Sequence, residues 1–551
     1  MYDREGESSG ARPSGPTGAR QVRFSVPAIA GWCALAALAL ATPAVAQPCV
    51  GGTAGGYPCW NIDLLAQVDM SELGGGGGND IWGWTDPVTG TEYAIVGRTT
   101  GTAFVDLSDP ENPVYVGNLP TDSFSSPWRD MKVYQDHVFI VSEASAHGMQ
   151  VFDLNELRDV ANPPVTFSES AHYGIFGPAH NIVINEASGY AYAVGTQTCS
   201  GGLHVVDISS PLAPSFVNCF SADGYTHDAQ CVDYHGPDPD YQGSEICFNS
   251  NEDTLTIVDV TNKANMTQIA KKSYPGSVYT HQGWLTEDQA HFLLDDELDE
   301  LNFGHNTRTY IWDLADLDDP VMIGHYTGPV SAIDHNQYVL GDHVYQSNYS
   351  SGLRILDITG IAGASLEEIA FFDVYPGDVE APIGIDPPGA GGPAHEEIFE
   401  GTWSNYPYYA SGIVAVNTFD DGLFILQPHL GAVLGGTTSG LDLRRVVCRN
   451  TSTGQNTNID PGGAESWSCG GAGLAWDPGD KIREIVDGLA NSSNVAGTLS
   501  GLAGAAVTCL NVTSGQSVSA PPAGGAFDCT AAGLGVSSGD RVRVDVRGLA
   551  D

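Results

Sequence analysis

Histidine recurs at the start of four successive predicted strands, each time beside a second polar residue. The four copies are His180-Asn181, His227-Asp228, His281-Gln282 and His335-Asn336. Carboxylates follow near the ends of the next strands, most densely in the run Asp295-Asp296-Glu297. Imidazole with carboxylate suits zinc or another first-row ion, whereas carboxylate and carbonyl oxygen alone suit calcium. The pattern therefore indicates a divalent metal ion, zinc or calcium, as the cofactor.

We predict a metal site built from these histidines and the acids near them. The candidate ligands are His180, His227, Asp228, His281, Asp295, Asp296, Glu297 and His335. The candidate supporting residues, which either hold the ligands in place or bind the ion themselves, are Arg129, Asp130, Glu143 and Glu252. Two or three histidines should bind the ion directly and the others through water. Binding should then weaken below about pH 6.5, where free imidazole is protonated. The alternative is a polar channel whose side chains bond only to one another and to water.

The strands that must position these residues belong to a repeat of about 50 residues. Its signature is two apolar residues, an aspartate and a further apolar residue: FVDL (104–107), VFDL (151–154), VVDI (205–208), IVDV (257–260), IWDL (311–314) and ILDI (355–358). A seventh copy, ILQP (425–428), has lost the aspartate. Three more short strands surround each copy, which makes four strands per repeat. This organisation predicts an all-β fold in which residues 47–430 form a seven-bladed β-propeller.

Two details of the repeat carry predictions of their own. The last copy lacks an outer strand, whereas a spare strand, DLLAQVDM (63–70), precedes the first copy. Pairing the two would close the ring and remove an exposed edge. The repeated aspartates end their strands, so we expect them to accept backbone N–H bonds in the next turn and not to form active sites.

Residues 1–46 are predicted to be a signal peptide. Arg20 and Arg23 precede the apolar stretch VPAIAGWCALAALALATPAVA, which ends in a small-x-small motif before Gln47. A retained transmembrane anchor is the alternative. No later stretch approaches ~20 apolar residues. We therefore expect a secreted, extracellular or cell-surface protein, or a periplasmic one, with no membrane insertion after cleavage.

The charge and the cysteines agree with export. The chain has 21 Lys and Arg against 67 Asp and Glu, a net charge of −46, and a surface this acidic repels nucleic acid. Ten cysteines follow the signal peptide, and we predict the disulfides Cys49–Cys59, Cys199–Cys219, Cys231–Cys247, Cys448–Cys469 and Cys509–Cys529. Five short-loop disulfides suit an oxidising compartment. Zinc-binding cysteines are the alternative, although no C-x-x-C spacing occurs.

The chain resembles the LVIVD-repeat proteins of the choice-of-anchor B family over residues 60–430. The resemblance rests on WRDMKVYQDHVFIVSEASAHGMQVFDL (128–154), AHNIVINEASGYAYAVG (179–195), THDAQCVDYHGPD (226–238), EICFNSNEDTLTIVDVT (245–261), THQGWLTEDQAHFLLDDELDE (280–300) and WSNYPYYASGIVAVNTFDDGLFILQP (403–428). It implies an exported or surface-displayed propeller with a variable C-terminal tail. It implies no particular activity.

The tail departs from the family's anchored members because it has no terminal hydrophobic stretch with a basic stop. Instead, after a linker at 431–440, residues 441–490 and 491–551 contain two copies of one disulfide-linked β module. Their cysteines and a closing Gly-Leu-Ala recur about 60 residues apart. A spacer is one interpretation of the modules, and attachment to a surface or glycan is the other.

Three functions compete. The first is a binding or scaffold module whose partner at the propeller face is an unknown protein, glycan or small molecule. The second is a metal-dependent hydrolase of lactonase or phosphoesterase type, with the ion activating water and a free histidine or Glu297 as base. The third is a protein-interaction module that uses loops alone. The Gly-x-Ser-x-Gly pattern occurs at 6–10 and 535–539, outside the predicted propeller, and no Gly-x-Gly-x-x-Gly motif or P-loop occurs, which favours the first.

Overall fold

The computed structural model describes residues 46–50, 52–376, 398–430, 435–459, 466–469, 474, 476, 481–522 and 526–550. The predicted signal peptide, apart from Ala46, lies outside these residues. In the described part of the chain, no helix is long and apolar enough to cross a membrane. The regular secondary structure of the described chain is almost entirely β-strand, as its composition predicted.

The first strands of the chain are β1 (Thr53–Ala54), β2 (Tyr57–Trp60) and β3 (Ile62–Val68). The first sheet contains β4 (Gly78–Thr85), β5 (Glu92–Arg98), β6 (Gly101–Asp106) and β7 (Val114–Pro120). The second sheet contains β8 (Arg129–Tyr134), β9 (His137–Ser142) and β10 (Met149–Asp153), while β11 (Val165–Thr166) joins the first sheet and β12 (Ala171–Tyr173) the second. The third contains β13 (Asn181–Asn185), β14 (Tyr190–Val194), β15 (Leu203–Asp207) and β16 (Ser215–Phe220).

The later sheets follow the same order. The fourth contains β17 (Asp228–Asp233), β18 (Glu245–Ser250), β19 (Leu255–Asp259) and β20 (Thr267–Lys272). The fifth contains β21 (Thr280–Leu285), β22 (His291–Asp296), β23 (Arg308–Asp313) and β24 (Val321–Thr327). The sixth contains β25 (Asn336–Leu340), β26 (His343–Ser347), β27 (Leu353–Asp357) and β28 (Glu367–Phe372), and the seventh β29 (Thr402–Tyr406), β30 (Val414–Thr418) and β31 (Leu423–Pro428). Short helices are α1 (Asp299–Phe303) and the 3₁₀ turns Leu154–Leu157, Cys199–Gly201 and Ile361–Gly363.

The sheets surround a channel. The first strand of each sheet contacts the first strand of the next, from β4 to β29, and β29 contacts β4 again. A buried hydrophobic cluster lies between each pair of neighbouring sheets, including the seventh and the first. Antiparallel sheets arranged radially around a channel, each packed on two neighbours, define a β-propeller.

The N-terminal segment closes this arrangement as the sequence predicted. Strand β3 pairs antiparallel with β31 and so supplies the outer strand of the seventh sheet. The sequence did not predict that β2 would pair with β28 of the sixth sheet, with β1 outside it. Residues 53–68 therefore tie together two neighbouring sheets.

The repeated aspartates have the predicted structural role. Each of the six accepts a hydrogen bond at 2.8 or 2.9 Å from the backbone N–H two residues later. The residues are Asp106, Asp153, Asp207, Asp259, Asp313 and Asp357. Such Asx turns redirect the chain after the third strand of a sheet. All five predicted disulfides are also confirmed.

The tail differs from the two separate modules expected at 441–490 and 491–551. One sheet contains β32 (Gly435–Ser439), β35 (Ser466–Ser468), β37 (Ala496–Ser500) and β40 (Ala526–Asp528). The other contains β33 (Leu441–Asn450), β34 (Asn456–Ile459), β36 (Lys481–Ala490), β38 (Leu502–Asn511), β39 (Ser517–Ser519) and β41 (Arg541–Ala550). Both sheets thus mix strands of both repeats around one hydrophobic core. Moreover, β32 occupies the second half of the predicted linker 431–440, whose first four residues lie outside the described chain.

Candidate metal centre at the histidine arc

The four histidines lie side by side at one end of the channel. Their ring centroids are 4.2 Å apart for His180 and His227, 4.2 Å for His227 and His281, and 4.5 Å for His281 and His335. Three of them directly precede the first strand of a sheet, and His281 is the second residue of β21. Because the first strands of adjacent sheets are neighbours, equivalent positions meet. We name these four residues the histidine arc.

The backbone of the following sheet fixes three members of the histidine arc. Nδ1 of His227 donates to the carbonyl of His281 at 2.9 Å, and Nδ1 of His281 donates to the carbonyl of His335 at 2.9 Å. Nδ1 of His335 donates to the carbonyl of Trp403 at 2.6 Å. Since a carbonyl oxygen can only accept, each Nδ1 carries the proton. Each Nε2 keeps its lone pair, which is the form that binds a metal ion.

Burial keeps these imidazoles neutral. It lowers the pKa of His281 to about 3 and the pKa of His335 to about 3. Burial, joined by the charges that His281 and His180 would carry, also holds the pKa of His227 well below its usual value. At neutral pH these three side chains are therefore available as ligands without first losing a proton.

Glu297 brings a carboxylate to two of these lone pairs. Its Oε1 lies 4.0 Å from Nε2 of His281 and 3.8 Å from Nε2 of His335. One ligand atom from each of the three residues lies within 4.8 Å of the others. Tyr349 donates a hydrogen bond to Oε1 of Glu297 at 2.6 Å and so orients the carboxylate. Three electron-pair donors facing one space suit a cation, and two imidazoles with a carboxylate suit zinc or another first-row ion.

Two of the predicted supporting acids flank the histidine arc. Oε1 of Glu143 lies 2.6 Å from Nδ1 of His180. Glu252 has a φ of +61°, and its backbone exchanges two hydrogen bonds with Thr280, the residue before His281. Burial and the charges of these two glutamates raise the pKa of Tyr225 above its usual value. Both acids therefore lie beside the arc.

The acid run at the end of β22 divides between two faces. Asp295 lies behind His281, with Oδ1 3.3 Å from Nδ1 of the ring. Asp296 instead accepts the backbone N–H groups of Val278 and Tyr279 at 2.8 and 2.7 Å. Alternate residues of a strand point to opposite faces, which explains why Asp296 turns away while Asp295 and Glu297 share a side. Asp296 orders the segment before His281 and does not face the other proposed ligands.

Asp130 and Asp228 lie near Lys132, whose side chain is 14% exposed. Nζ of Lys132 contacts Asp130 at 2.6 Å, and the charges of Asp80 and Asp228 also act on it. The other oxygen of Asp130 accepts the backbone N–H of Ile182 at 2.7 Å, which joins the second sheet to the third. Burial raises the pKa of Asp228 to about 7. The contacts of Asp130 thus assign it to the channel around Lys132, and the charges of Lys132, Asp130 and His180 all act on Asp228.

Arg129 is buried and joins neighbouring segments of the chain by hydrogen bonds. It donates to the carbonyl of Arg98 at 3.1 Å and to Oγ1 of Thr121 at 2.7 Å. It also contacts Nε2 of His147 at 3.0 Å. These bonds occupy its guanidinium, so its described contacts are structural.

A cavity of about 620 Å³ lies toward the other ends of the first strands. Lys132 and Asp228 contribute to its lining, together with an aromatic set. The aromatic residues are Trp82, Trp284, Tyr338, Tyr406 and Tyr408. The rings of Trp82 and Tyr406 contact each other at 5.2 Å, and those of Trp284 and Tyr338 at 5.0 Å. Sequence reasoning missed this cavity, although aromatic residues recur along the first strands.

Comparison with known proteins identifies the repeat. The LVIVD repeat model matches residues 177–221 and 248–273, which include the third sheet and most of the fourth. No curated protein matches. The chain is a β-propeller that contains LVIVD repeats.

Solved structures resemble the chain only distantly. The β-propeller domain of Cps50 (Swd1) from Myceliophteria thermophila is 12% identical, with 61% of this chain and 93% of that one covered and a TM-score of 0.38. A functionally unknown protein from Desulfotomaculum acetoxidans is 11% identical, with 53% and 89% covered and a TM-score of 0.38. A protein from Lactobacillus plantarum is 12% identical, with 71% and 96% covered and a TM-score of 0.38.

Proposed function

We propose that this protein is an exported, seven-bladed binding propeller of the choice-of-anchor B type, in which the histidine arc holds a zinc-class divalent ion. Residues 1–46 would be the signal peptide, and the mature protein would be secreted or displayed at the cell surface. Its five disulfides are consistent with an oxidising compartment. The proposal does not depend on which kind of anchor attaches the protein to the cell surface.

One observation carries the metal assignment. His281 and His335 direct lone pairs toward Glu297, and backbone carbonyls prevent either ring from turning its N–H there instead. Without a cation, the carboxylate would face two acceptors with no hydrogen between them. An ion there would link β21, β25 and the loop after β22, and it would therefore stiffen this mouth of the channel.

The aromatic cavity supports the binding role. Apolar and aromatic walls with a small number of charged groups are typical of sites for small molecules. Here, Trp82 and Trp284 offer flat faces, while Lys132 and Asp228 offer charge. A small organic molecule, a glycan or a side chain of a partner protein could occupy it.

Elemental analysis of the protein purified without chelator tests the metal assignment. We expect about one equivalent of a first-row ion per chain. Glu297→Gln keeps an acceptor for Tyr349 but removes the charge, so it should lower the metal content sharply. The exposed His235→Ala variant is the matched control and should keep the ion. A wild-type protein that binds no zinc when titrated would refute the assignment.

A metal-dependent hydrolase is the second candidate. The observation that favours it is that only three side chains meet in the described group, whereas catalytic zinc commonly has three protein ligands and an open position for water. The ion would supply Lewis acidity or activate water there. A panel of lactones, esters and phosphoesters, assayed with wild type and Glu297→Gln, tests this candidate. Turnover that is equal in both proteins would exclude the arc as its source.

A further inference from the structure

A second group of possible metal ligands lies in the connection between β22 and β23. Asp299 and Glu300 belong to the single turn α1, and His305 follows it. Both acids are fully buried. One ligand atom from each of the three residues lies within 4.8 Å of the others. None of the three was a candidate ligand in the sequence analysis.

The polar atoms of this group are incompletely satisfied. Oδ1 of Asp299, Oε2 of Glu300 and Nε2 of His305 are buried and have no hydrogen-bond partner. Nδ1 of His305 donates to the carbonyl of Asn306 at 2.9 Å, so its Nε2 carries a lone pair. That lone pair lies 3.5 Å from Oδ2 of Asp299, which is unfavourable unless a cation or a proton stands between them.

A carboxylate just before β25 adds an independent observation. Asp334 is 2% exposed, and neither of its oxygens has a hydrogen-bond partner. Among neighbouring charges, Glu300 acts on it most strongly, followed by Asp295 and Asp299. Among the described residues, no ion pair from Arg308 reaches these acids, although its backbone N–H donates to Glu300 at 3.3 Å. Buried carboxylates without counter-ions are rare unless they bind a metal or share protons.

We propose that Asp299, Glu300 and His305 bind a second divalent cation, with Asp334 beside them as further negative charge. Carboxylate oxygens dominate this group, so it should prefer Ca²⁺ or Mn²⁺ to the softer ions that suit the histidine arc. The cation would brace residues 297–307, the segment that begins with Glu297. The site would therefore stabilise the loop that supplies the carboxylate of the arc.

Terbium luminescence provides a direct test, since Tb³⁺ substitutes for Ca²⁺ and is sensitised by nearby aromatic rings. The hydroxyl of Tyr310 donates to Oδ2 of Asp299 at 2.6 Å, so this ring would be the sensitiser. We expect the full-length wild type to give saturable emission that Ca²⁺ or Mn²⁺ displaces. Ca²⁺ should also raise the Tm of the wild type progressively with its concentration.

Variants distinguish this site from the histidine arc. Glu300→Gln should lose at least tenfold in Tb³⁺ affinity and lose the Ca²⁺-dependent rise in Tm. Glu297→Gln should keep the emission, and Glu156→Gln, at an exposed position, should behave as wild type. An unchanged Tb³⁺ affinity in Glu300→Gln would overturn the proposal. So would a wild type that neither sensitises Tb³⁺ nor gains stability from Ca²⁺ or Mn²⁺, because the acids would then be neutralised by shared protons.

Discussion

Acid should destabilise the metal-free protein through the histidine arc. His281 and His335 have a pKa of about 3 in the folded protein, against about 6.5 in an unfolded chain. Between these values the unfolded chain binds one more proton per histidine than the folded protein does. The stabilisation that comes from keeping the two histidines neutral is therefore fully present above about pH 6.5 and is lost as the pH falls toward 3. Relative to neutral pH, each histidine should lower the free energy of unfolding at pH 5 by about 2 kcal/mol, and the pair should lower it by about 4 kcal/mol.

A neutral substitution isolates this contribution. In His335→Gln, the side-chain amide can still donate to the carbonyl of Trp403, but it does not titrate. The free energy of unfolding should then fall by about 1.4 kcal/mol less per pH unit than in wild type. The informative quantity is the difference between the slopes of wild type and His335→Gln, because other buried groups also contribute to each slope. Burial lowers the pKa of His147 and of His204 to about 4, and it raises the pKa of Asp80 to about 8, which acts in the opposite direction.

Urea unfolding at several pH values between about 5 and 7, with chelator present, measures the slope. The exposed His235→Gln variant is the control and should keep the wild-type slope in this range. Equal slopes for wild type and His335→Gln would refute the argument that burial holds His335 neutral. The same burial modifies the expectation that metal binding weakens below about pH 6.5. Since His281 and His335 resist protonation, binding should persist to a lower pH.

Three further predictions concern the ion, the ring and the tail. Tyr349→Phe, which removes the hydrogen bond to Glu297, should lower zinc affinity about 10–100-fold in a chelator competition, whereas Tyr345→Phe in the same sheet should not. Leu64→Ala should lower the free energy of unfolding by about 2–5 kcal/mol in urea titrations because Leu64 is buried in the closing strand β3, and Leu65→Ala should cost less. A fragment of residues 435–490 should be unfolded by circular dichroism while 435–551 is folded, and a folded short fragment would contradict the shared core.

The positions of the histidines could be predicted because a repeat places equivalent residues on one ring. His227 and His281 are 54 residues apart in sequence, yet their rings are 4.2 Å apart at the centroids. The bonds from each Nδ1 to the next sheet could not be predicted because a backbone carbonyl leaves no sequence signal. The opposite orientation of Asp296 could have been predicted, because alternate residues of a strand point to opposite faces and Asp296 stands between Asp295 and Glu297.

The tail shows where repeat analysis stops. Two similar segments can fold as two modules or exchange strands, and the same hydrophobic pattern serves both arrangements. Here, β36 of the first repeat pairs along its length with β41 of the second. Arg483 pairs with Asp545 and Arg543 with Asp487 across this junction. These charges are complementary between the repeats, but single residues of this kind do not identify their partners in sequence.

The two candidate sites raise the same physical question, which is how an acidic protein buries carboxylates. In the channel, Lys132 supplies the counter-charge of Asp130, while burial raises the pKa of Asp80 to about 8 and the pKa of Asp228 to about 7. Glu297 faces the Nε2 lone pairs of His281 and His335 instead of a lysine. Asp299, Glu300 and Asp334 have no ion pair with Lys or Arg among the described residues. An uncompensated buried charge costs several kcal/mol, which is a large part of the net stability of a domain. Glu297 and the trio of Asp299, Glu300 and Asp334 therefore need protons or external cations. Lys132 and bound protons therefore limit the negative charge in the channel, whereas the carboxylates at the mouth depend on protons or on cations from the surroundings.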